Sequence, residues 1–249
     1  MRIAFDMDGV LADLHTAYMQ TALKLFPHLD HAAIAMPDVG ASPPDGQTLT
    51  HDPDLPDPAA ANVVVNRRQS EAIWKHLGGI DNFWETLGEL EPGLVARLAK
   101  LTEERRWEVL FITSRPLSEG ATVQRQTQRW LQAKGFPLPS VYVVHGSRGR
   151  IAQALDLDVV IDDRPDNCLD IALESKAGAI LIWRGSAKVP ASARRLGIAV
   201  SPSVASCLES LIEAESTAGA DTFLNRLRRL FGLRTRSAPN VIRRGGAGR

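Results

Sequence analysis

Five short apolar runs constrain this 249-residue chain more than any other feature of its sequence: Ile3-Ala4-Phe5, Val109-Leu110-Phe111-Ile112, Val141-Tyr142-Val143-Val144, Val159-Val160-Ile161 and Ala179-Ile180-Leu181-Ile182-Trp183. The runs are continuous rather than alternating, so each reads as a strand buried on both faces. Stretches with helical character separate them, at Leu94 to Leu101, Val123 to Lys134, Arg150 to Leu155 and Cys168 to Ser175. Pro92 suits the first position of the helix that precedes the second run. Strands alternating with helices predict an α/β fold, a three-layer Rossmann-like parallel sheet with helices on both faces.

The alternation is interrupted early. Leu14 to Phe26 has helical spacing, and then Pro37 to Asn62 is dense in Pro, Asp, Gly, Ser and Ala. So long a stretch without regular structure belongs to an insertion or lid rather than to a compact core. Gln69 to Leu77 and Asn82 to Leu87 read as short helices carrying Trp74, Phe83 and Trp84. The expected organisation is a core from residues 1–16 and 90–212, a small helical cap from 17–89 inserted after the first strand, and a basic C-terminal helix and tail from 213–249.

In an open parallel sheet, ligands bind outside the carboxyl ends of the strands. The residues just past the first four runs are Asp6-Met7-Asp8-Gly9-Val10, Thr113-Ser114-Arg115-Pro116, His145-Gly146-Ser147-Arg148 and Asp162-Asp163-Arg164-Pro165. Four acids, a hydroxyl and a cation would converge there. Such a cluster repels itself unless a cation compensates it. Oxygen ligands favour a hard ion, and Mg²⁺ takes one or two carboxylates plus waters and substrate phosphate.

The segment Phe5-Asp6-Met7-Asp8-Gly9-Val10-Leu11-Ala12-Asp13 resembles the first motif of the haloacid dehalogenase-like (HAD) hydrolase superfamily. Thr113 after Leu110-Phe111-Ile112 resembles its second motif, and Ile161-Asp162-Asp163-Arg164-Pro165 its fourth. Phe83-Trp84, Leu90-Glu91-Pro92-Gly93 and the Thr113-Ser114 pair are similar to the 5′-nucleotidase (deoxyribonucleotidase) branch.

The resemblance implies a phosphatase with Asp6 as nucleophile and Asp8 as general acid and base. It implies Mg²⁺ held by Asp6, the backbone carbonyl of Asp8, and Asp162, with Asp163 orienting ligands or water behind them. Thr113, with Ser114 assisting, would bind the phosphate. The third motif departs from the pattern, because Gly146-Ser147-Arg148-Gly149-Arg150 contains no lysine. Arg148 is the first choice for the bridging cation and Arg150 the second, although a guanidinium is not interchangeable with an ammonium.

The expected substrate is a small phosphomonoester, with a nucleoside monophosphate first. A sugar-phosphate phosphatase or phosphomutase shares this chemistry, and a weakly catalytic binding protein is a third possibility. Lysine plus arginine and aspartate plus glutamate number 29 each, so net charge brings no bulk attraction to nucleic acid or membrane. From Arg226 onward, however, eight arginines occur without one acid. Phe223 to Phe231 patterns as an amphipathic basic helix that could meet an anionic surface, and Ser237 to Arg249 has the composition of a disordered end.

Cys168 and Cys207 form no disulfide framework. No secretory h-region and no span of ~18 apolar residues is present, so a cytoplasmic location is expected. His28, His31 and His51 near Asp30, Asp52, Asp54 and Asp57 match no ligand spacing and read as solvated loop residues. Trp74, Phe83 and Trp84 read as packing between cap and core before base stacking. Neither a Walker lysine nor a dinucleotide fingerprint occurs.

Overall fold

Successive residues of a strand face opposite layers, so a run without polar interruptions needs an apolar layer on each side. The computed structural model describes residues 1–29, 65–184, 188–216 and 223–233, and it supplies both layers for every run but the third, where Tyr142 at the sheet edge is exposed. The strands are β1 (Arg2–Asp6), β2 (Glu108–Thr113), β3 (Ser140–Val143), β4 (Val159–Asp162), β5 (Gly178–Ile182) and β6 (Ala199–Ser201). They form one parallel sheet in the order β3-β2-β1-β4-β5-β6. The helices are α1 (Leu14–Leu25), α2 (Arg67–Gly78), α3 (Leu94–Arg105), α4 (Val123–Ala133), α5 (Arg148–Ala154), α6 (Pro165–Glu174), α7 (Ala191–Leu196), α8 (Val204–Ser216) and α9 (Phe223–Leu230).

Ile3, Phe5, Val109, Phe111, Val159 and Ile161 enter a core shared with α3, α4 and α8. Ala4, Leu110, Ile112, Val160 and Leu181 enter a second core shared with α5, α6 and α7. Phe111 is fully buried and packs edge-on to Phe136 at 4.9 Å. Burial of a side chain of that size is worth about 1.5–3 kcal/mol. The two cysteines sit in different cores, Cys168 in one and Cys207 in the other.

Several local expectations change. β6 is a sixth strand, and α7 and α8 extend the alternation beyond the fifth run. Pro92 does not begin a helix: α3 starts at Leu94, after Gly93 at φ 79°. The Glu89 carboxylate accepts from the amides of Gly93 at 3.1 Å and Val95 at 3.0 Å. It thus places an anion at the helix start, where orphan donors and the dipole favour one. The short helix expected over Asn82 to Leu87 is a 3₁₀ turn, Phe83–Glu85, entered through Asn82 at φ 51°.

The chain leaves the sheet layer after Ala12 and returns at Gly88. Ala12 and Glu89 form an antiparallel bridge, with Asp13 N–H donating to the Gly88 carbonyl and Leu90 N–H to the Leu11 carbonyl, both at 2.9 Å. Asp13 caps α1 through the Thr16 amide. α1 pairs with α2 through Tyr18 and Trp74, whose ring centres are 5.4 Å apart. The Tyr18 hydroxyl donates to Ser70. At the other end, α9 lies on α8 with Leu227 buried. The Pro37–Asn62 stretch, His31, His51 and their aspartates, and Ser237–Arg249 lie outside the described residues. Among the described residues, no helix is long and apolar enough to cross a membrane.

Candidate active site

The strand order reverses about β1, whose neighbours β2 and β4 carry the chain to opposite edges. A ligand crevice opens at such a switch point, outside the strand carboxyl ends. Register fills it. Phe5 pairs with Ile161, so Asp6 and Asp162 come next, side by side; Asp6 pairs with Ile112, so Thr113 lies one residue further out. Asp6, Thr113 and Asp162 are all buried.

Arg148, the first residue of α5, reaches this crevice, and Arg150 does not. The Arg148 Nη2 donates to Asp6 Oδ1 at 3.0 Å and to the Ser114 hydroxyl at 2.9 Å. Its Nε lies 3.8 Å from Asp162 Oδ2, beyond hydrogen-bond reach. Arg148 is 4% exposed, and its Nε and Nη1 have no hydrogen-bond partner among the described residues. Arg150 points to solvent and pairs with Glu174 at 3.5 Å. Gly149 makes the placement possible, because a Cβ there would come within 2.1 Å of the Asp170 carbonyl oxygen. Only glycine lets α5 approach α6 so closely.

Asp8 has a different cation. Arg115 grips it with a fork, Nε to Oδ2 at 2.8 Å and Nη2 to Oδ1 at 2.7 Å. Asp162 accepts the Arg164 amide at 2.9 Å and receives the Asn167 side-chain amide on both oxygens.

Gly9 turns the first loop at φ 81°, and a Cβ there would lie 1.8 Å from Asp163 Oδ2. The Arg184 guanidinium closes the loop from outside by donating to the carbonyls of Gly9 and Val10. Arg184 is itself held by Glu91 at 2.7 Å, and Glu91 also caps α8 through the amides of Val204 and Ala205. We therefore expect Gly9→Ala to displace Asp163 and the loop together. The left-handed backbone alone costs about 1–2 kcal/mol with a side chain. A misplacement of about 1 Å at reacting groups is worth about 10²-fold in turnover. Melting temperature and kcat/KM, measured together on Gly9→Ala, check this; an unchanged pair of values would contradict it.

Burial pushes the Asp6 carboxyl well above the usual carboxylate range; the charge of Asp162 adds to this, the Arg148 cation opposes it, and Asp163 and Asp8 add more. Burial also raises Asp162, against Arg148, the Arg164 amide and Asn167. Asp163 is pushed up to about 8, by burial first and then by the charge of Asp162. Three guanidiniums, Arg148, Arg115 and Arg164, act on the four carboxylates Asp6, Asp8, Asp162 and Asp163. The excess negative charge fits a hard divalent cation. Among the described residues no three His, Cys, Asp or Glu side chains form a ready cage. Mg²⁺ needs none, since it keeps several waters and uses one or two carboxylates plus substrate oxygens.

Phe83 and Trp84 are buried and belong to the core, and Trp74 keeps part of its surface exposed. Four contributors were not anticipated from sequence: Arg115, Asn167, Arg184 and Glu91. Arg115 stood at a strand end, in Thr113-Ser114-Arg115-Pro116, but a lone arginine carries no local signal of its partner. The other three act across elements.

A six-stranded parallel sheet of this order, covered by helices, with acids at the ends of β1 and β4 and an excursion after β1, is an α/β Rossmann-like fold. The chain is similar to a HAD-family hydrolase from Deinococcus radiodurans R1, solved with bound phosphate and sodium. The TM-score is 0.51 at 18% identity, covering 87% of this chain and 98% of that one. It is also similar to a hydrolase from Pseudomonas syringae, with a TM-score of 0.49 at 15% identity over 86% of this chain and 99% of that one. At these identities the likeness is one of fold. No protein-family model and no curated protein matches the sequence.

Proposed function

We propose that this chain is a Mg²⁺-dependent phosphomonoesterase that works through an aspartyl-phosphate on Asp6. The observation that carries the reading is Arg148: a buried guanidinium beside Asp6, Asp162 and Ser114, with Nε and Nη1 still lacking a partner among the described residues. Buried donors of this kind are costly unless an anion meets them. A phosphoryl group beside Asp6 is such an anion. The phosphate bound in the similar-fold Deinococcus hydrolase agrees with this reading.

The side chains supply each step. An oxygen of Asp6 bonds to phosphorus as the phosphorus–ester oxygen bond breaks, and Asp8 gives its proton to the leaving oxygen. Asp8, now a carboxylate, takes a proton from water as that water's oxygen bonds to phosphorus and the Asp6–phosphorus bond breaks. Thr113 and Arg148 donate to the phosphoryl oxygens, with Ser114 fixing the Arg148 fork. Asp6, the Asp8 carbonyl and Asp162 would hold Mg²⁺, with Asp163 behind them. Bound there, the ion offsets the repulsion between an anionic nucleophile and an anionic phosphate. Residues 17–89 act as the cap that selects the ester, and the substrate class tried first is a nucleoside monophosphate.

The test is phosphate release from nucleoside monophosphates, sugar phosphates and p-nitrophenyl phosphate, with Mg²⁺ and with EDTA. Turnover that needs Mg²⁺ and ranks the esters is the expected result. Turnover appearing only with a sugar bisphosphate present would make the protein a phosphomutase, and no turnover on any ester would overturn the reading.

A further inference from the structure

Asp8 is gripped by a side chain that has no freedom of its own. Arg115 is fully buried, whereas the Asp8 side chain is 13% exposed. Both Asp8 oxygens accept from the Arg115 fork, at 2.8 and 2.7 Å. The remaining Nη1 donates to the Thr127 hydroxyl at 2.9 Å, and that hydroxyl donates to the Val123 carbonyl at 2.8 Å. The guanidinium carbon lies 4.7 Å from the centre of the Trp84 ring, within cation–π range. Trp84 is pinned in turn: its indole N–H donates to the Pro116 carbonyl, and its backbone N–H to the Gln126 side chain, each at 3.1 Å.

We propose that Arg115 is a positioning residue for Asp8, which fixes the plane of the acid/base carboxylate and joins it to the Phe83–Glu85 turn at the base of the inserted segment. The proposal rests on the phosphatase reading above and deepens it. A bidentate grip differs from a single hydrogen bond because it removes rotation of the carboxylate as well as translation. Each carboxylate oxygen has two lone pairs. With one used by Arg115, each oxygen of Asp8 keeps another, so the carboxylate can exchange a proton without leaving the fork. A swing away from Arg115 would strand a buried cation, which the fold resists. Four residues after Trp84, Gly88 bonds to Asp13 where the inserted segment departs. The position of Asp8 and the base of that segment therefore share one support.

A residue that merely fills the core would lower all activities alike, whereas one that aims a general acid matters most when the leaving group needs a proton. The experiment compares kcat/KM of the wild type, Arg115→Met, Asp8→Asn and the double variant. Two esters are used: p-nitrophenyl phosphate, whose leaving group departs as an anion, and the best nucleoside or sugar phosphate. Since kcat/KM covers steps through the first release of alcohol, it isolates the acid half of the cycle. We expect Arg115→Met to lose about 10²-fold on the alkyl ester and less than about tenfold on p-nitrophenyl phosphate. Adding Arg115→Met to Asp8→Asn then costs no more than about twofold, because the two act as one unit.

Thr127→Val, a near-isosteric change that removes one anchor of Arg115, gives the same ester preference with a loss of about three- to tenfold. It decides the matter if Arg115→Met does not fold. Equal losses on both esters, or additive losses in the double variant, overturn the proposal while leaving the phosphatase reading intact. A wild type without turnover on either ester overturns both.

Discussion

In the Asp6→Asn variant, phosphate release falls by about 10⁴-fold or more if the proposed mechanism holds, because an amide cannot form the aspartyl-phosphate that the mechanism requires. The same change raises the stability of the metal-free protein at neutral pH. Burial and neighbouring acids hold the Asp6 carboxyl well above its ordinary value, so the fold prefers this group uncharged, and an amide is uncharged at every pH. The amide oxygen still accepts from Arg148, and Asp162 remains 3.8 Å from that cation. Arg148 is therefore not stranded.

The pH dependence has a definite sign. A carboxyl whose folded pKa is raised contributes stability that is complete below its unfolded value and is lost as pH rises through the folded one. Asp6, Asp162 and Asp163 are all raised from 3.8, Asp163 to about 8. In EDTA, the wild type loses melting temperature from about pH 4 to about pH 8, and Asp6→Asn loses less. Added Mg²⁺ raises the wild-type melting temperature most at the upper end of that range. A wild-type curve that is flat in EDTA, or Mg²⁺ without effect, would remove the acidic cluster as the metal site. Residual turnover in Asp6→Asn near the wild-type level would remove Asp6 as the nucleophile.

Arg148→Ala carries the second large effect. Loss of one preorganised donor to a transition-state oxygen costs about 10²–10³-fold in turnover. Here it also leaves Asp6 and Asp162 facing each other without their shared cation. Breaking a buried pair in this way costs about 3–5 kcal/mol. Raised Asp6 and Asp162 pKa values let the two acids protonate and recover part of that loss at low pH, so the destabilisation is greater at pH 8 than at pH 5. Arg148→Lys restores the charge, and its one nitrogen can meet Asp6 and Ser114 as Nη2 does, but it lacks the further donors Nε and Nη1. It recovers stability better than it recovers kcat/KM. Arg150→Ala, at a side chain 83% exposed, changes kcat/KM by less than about twofold. Melting curves and kcat/KM for the three variants, at both pH values, separate these effects. If Arg150→Ala were the damaging change and Arg148→Ala the silent one, the assignment of the site cation would be reversed.

The features legible along the chain are local in origin. A strand buried on both faces must be apolar without a break, so β1, β2, β4 and β5 can be seen as runs. Among the described strands β3 is also a run, although it is an edge strand with Tyr142 exposed, and β6, only Ala199–Ser201, is too short to register. The acids Asp6, Asp8, Asp162 and Asp163 and the hydroxyl of Thr113 come at or just past the ends of those runs, and a parallel sheet gathers its strand ends at one edge. The exact start of α3 was not legible, because Gly93 adopts a left-handed φ and Glu89 caps the helix from outside it.

The choice between Arg148 and Arg150 belonged to the tertiary structure. Two arginines two residues apart on a helix face different directions, and the α5–α6 approach at Gly149 decides which one turns inward. The pairing of Arg115 with Asp8 joins residues 107 apart in sequence, and Arg184 meets Gly9 across 175. A pattern in sequence reports the face on which a side chain lies. It does not report which distant side chain shares that face, because that depends on strand order and helix crossing, and these exist only once the chain has folded.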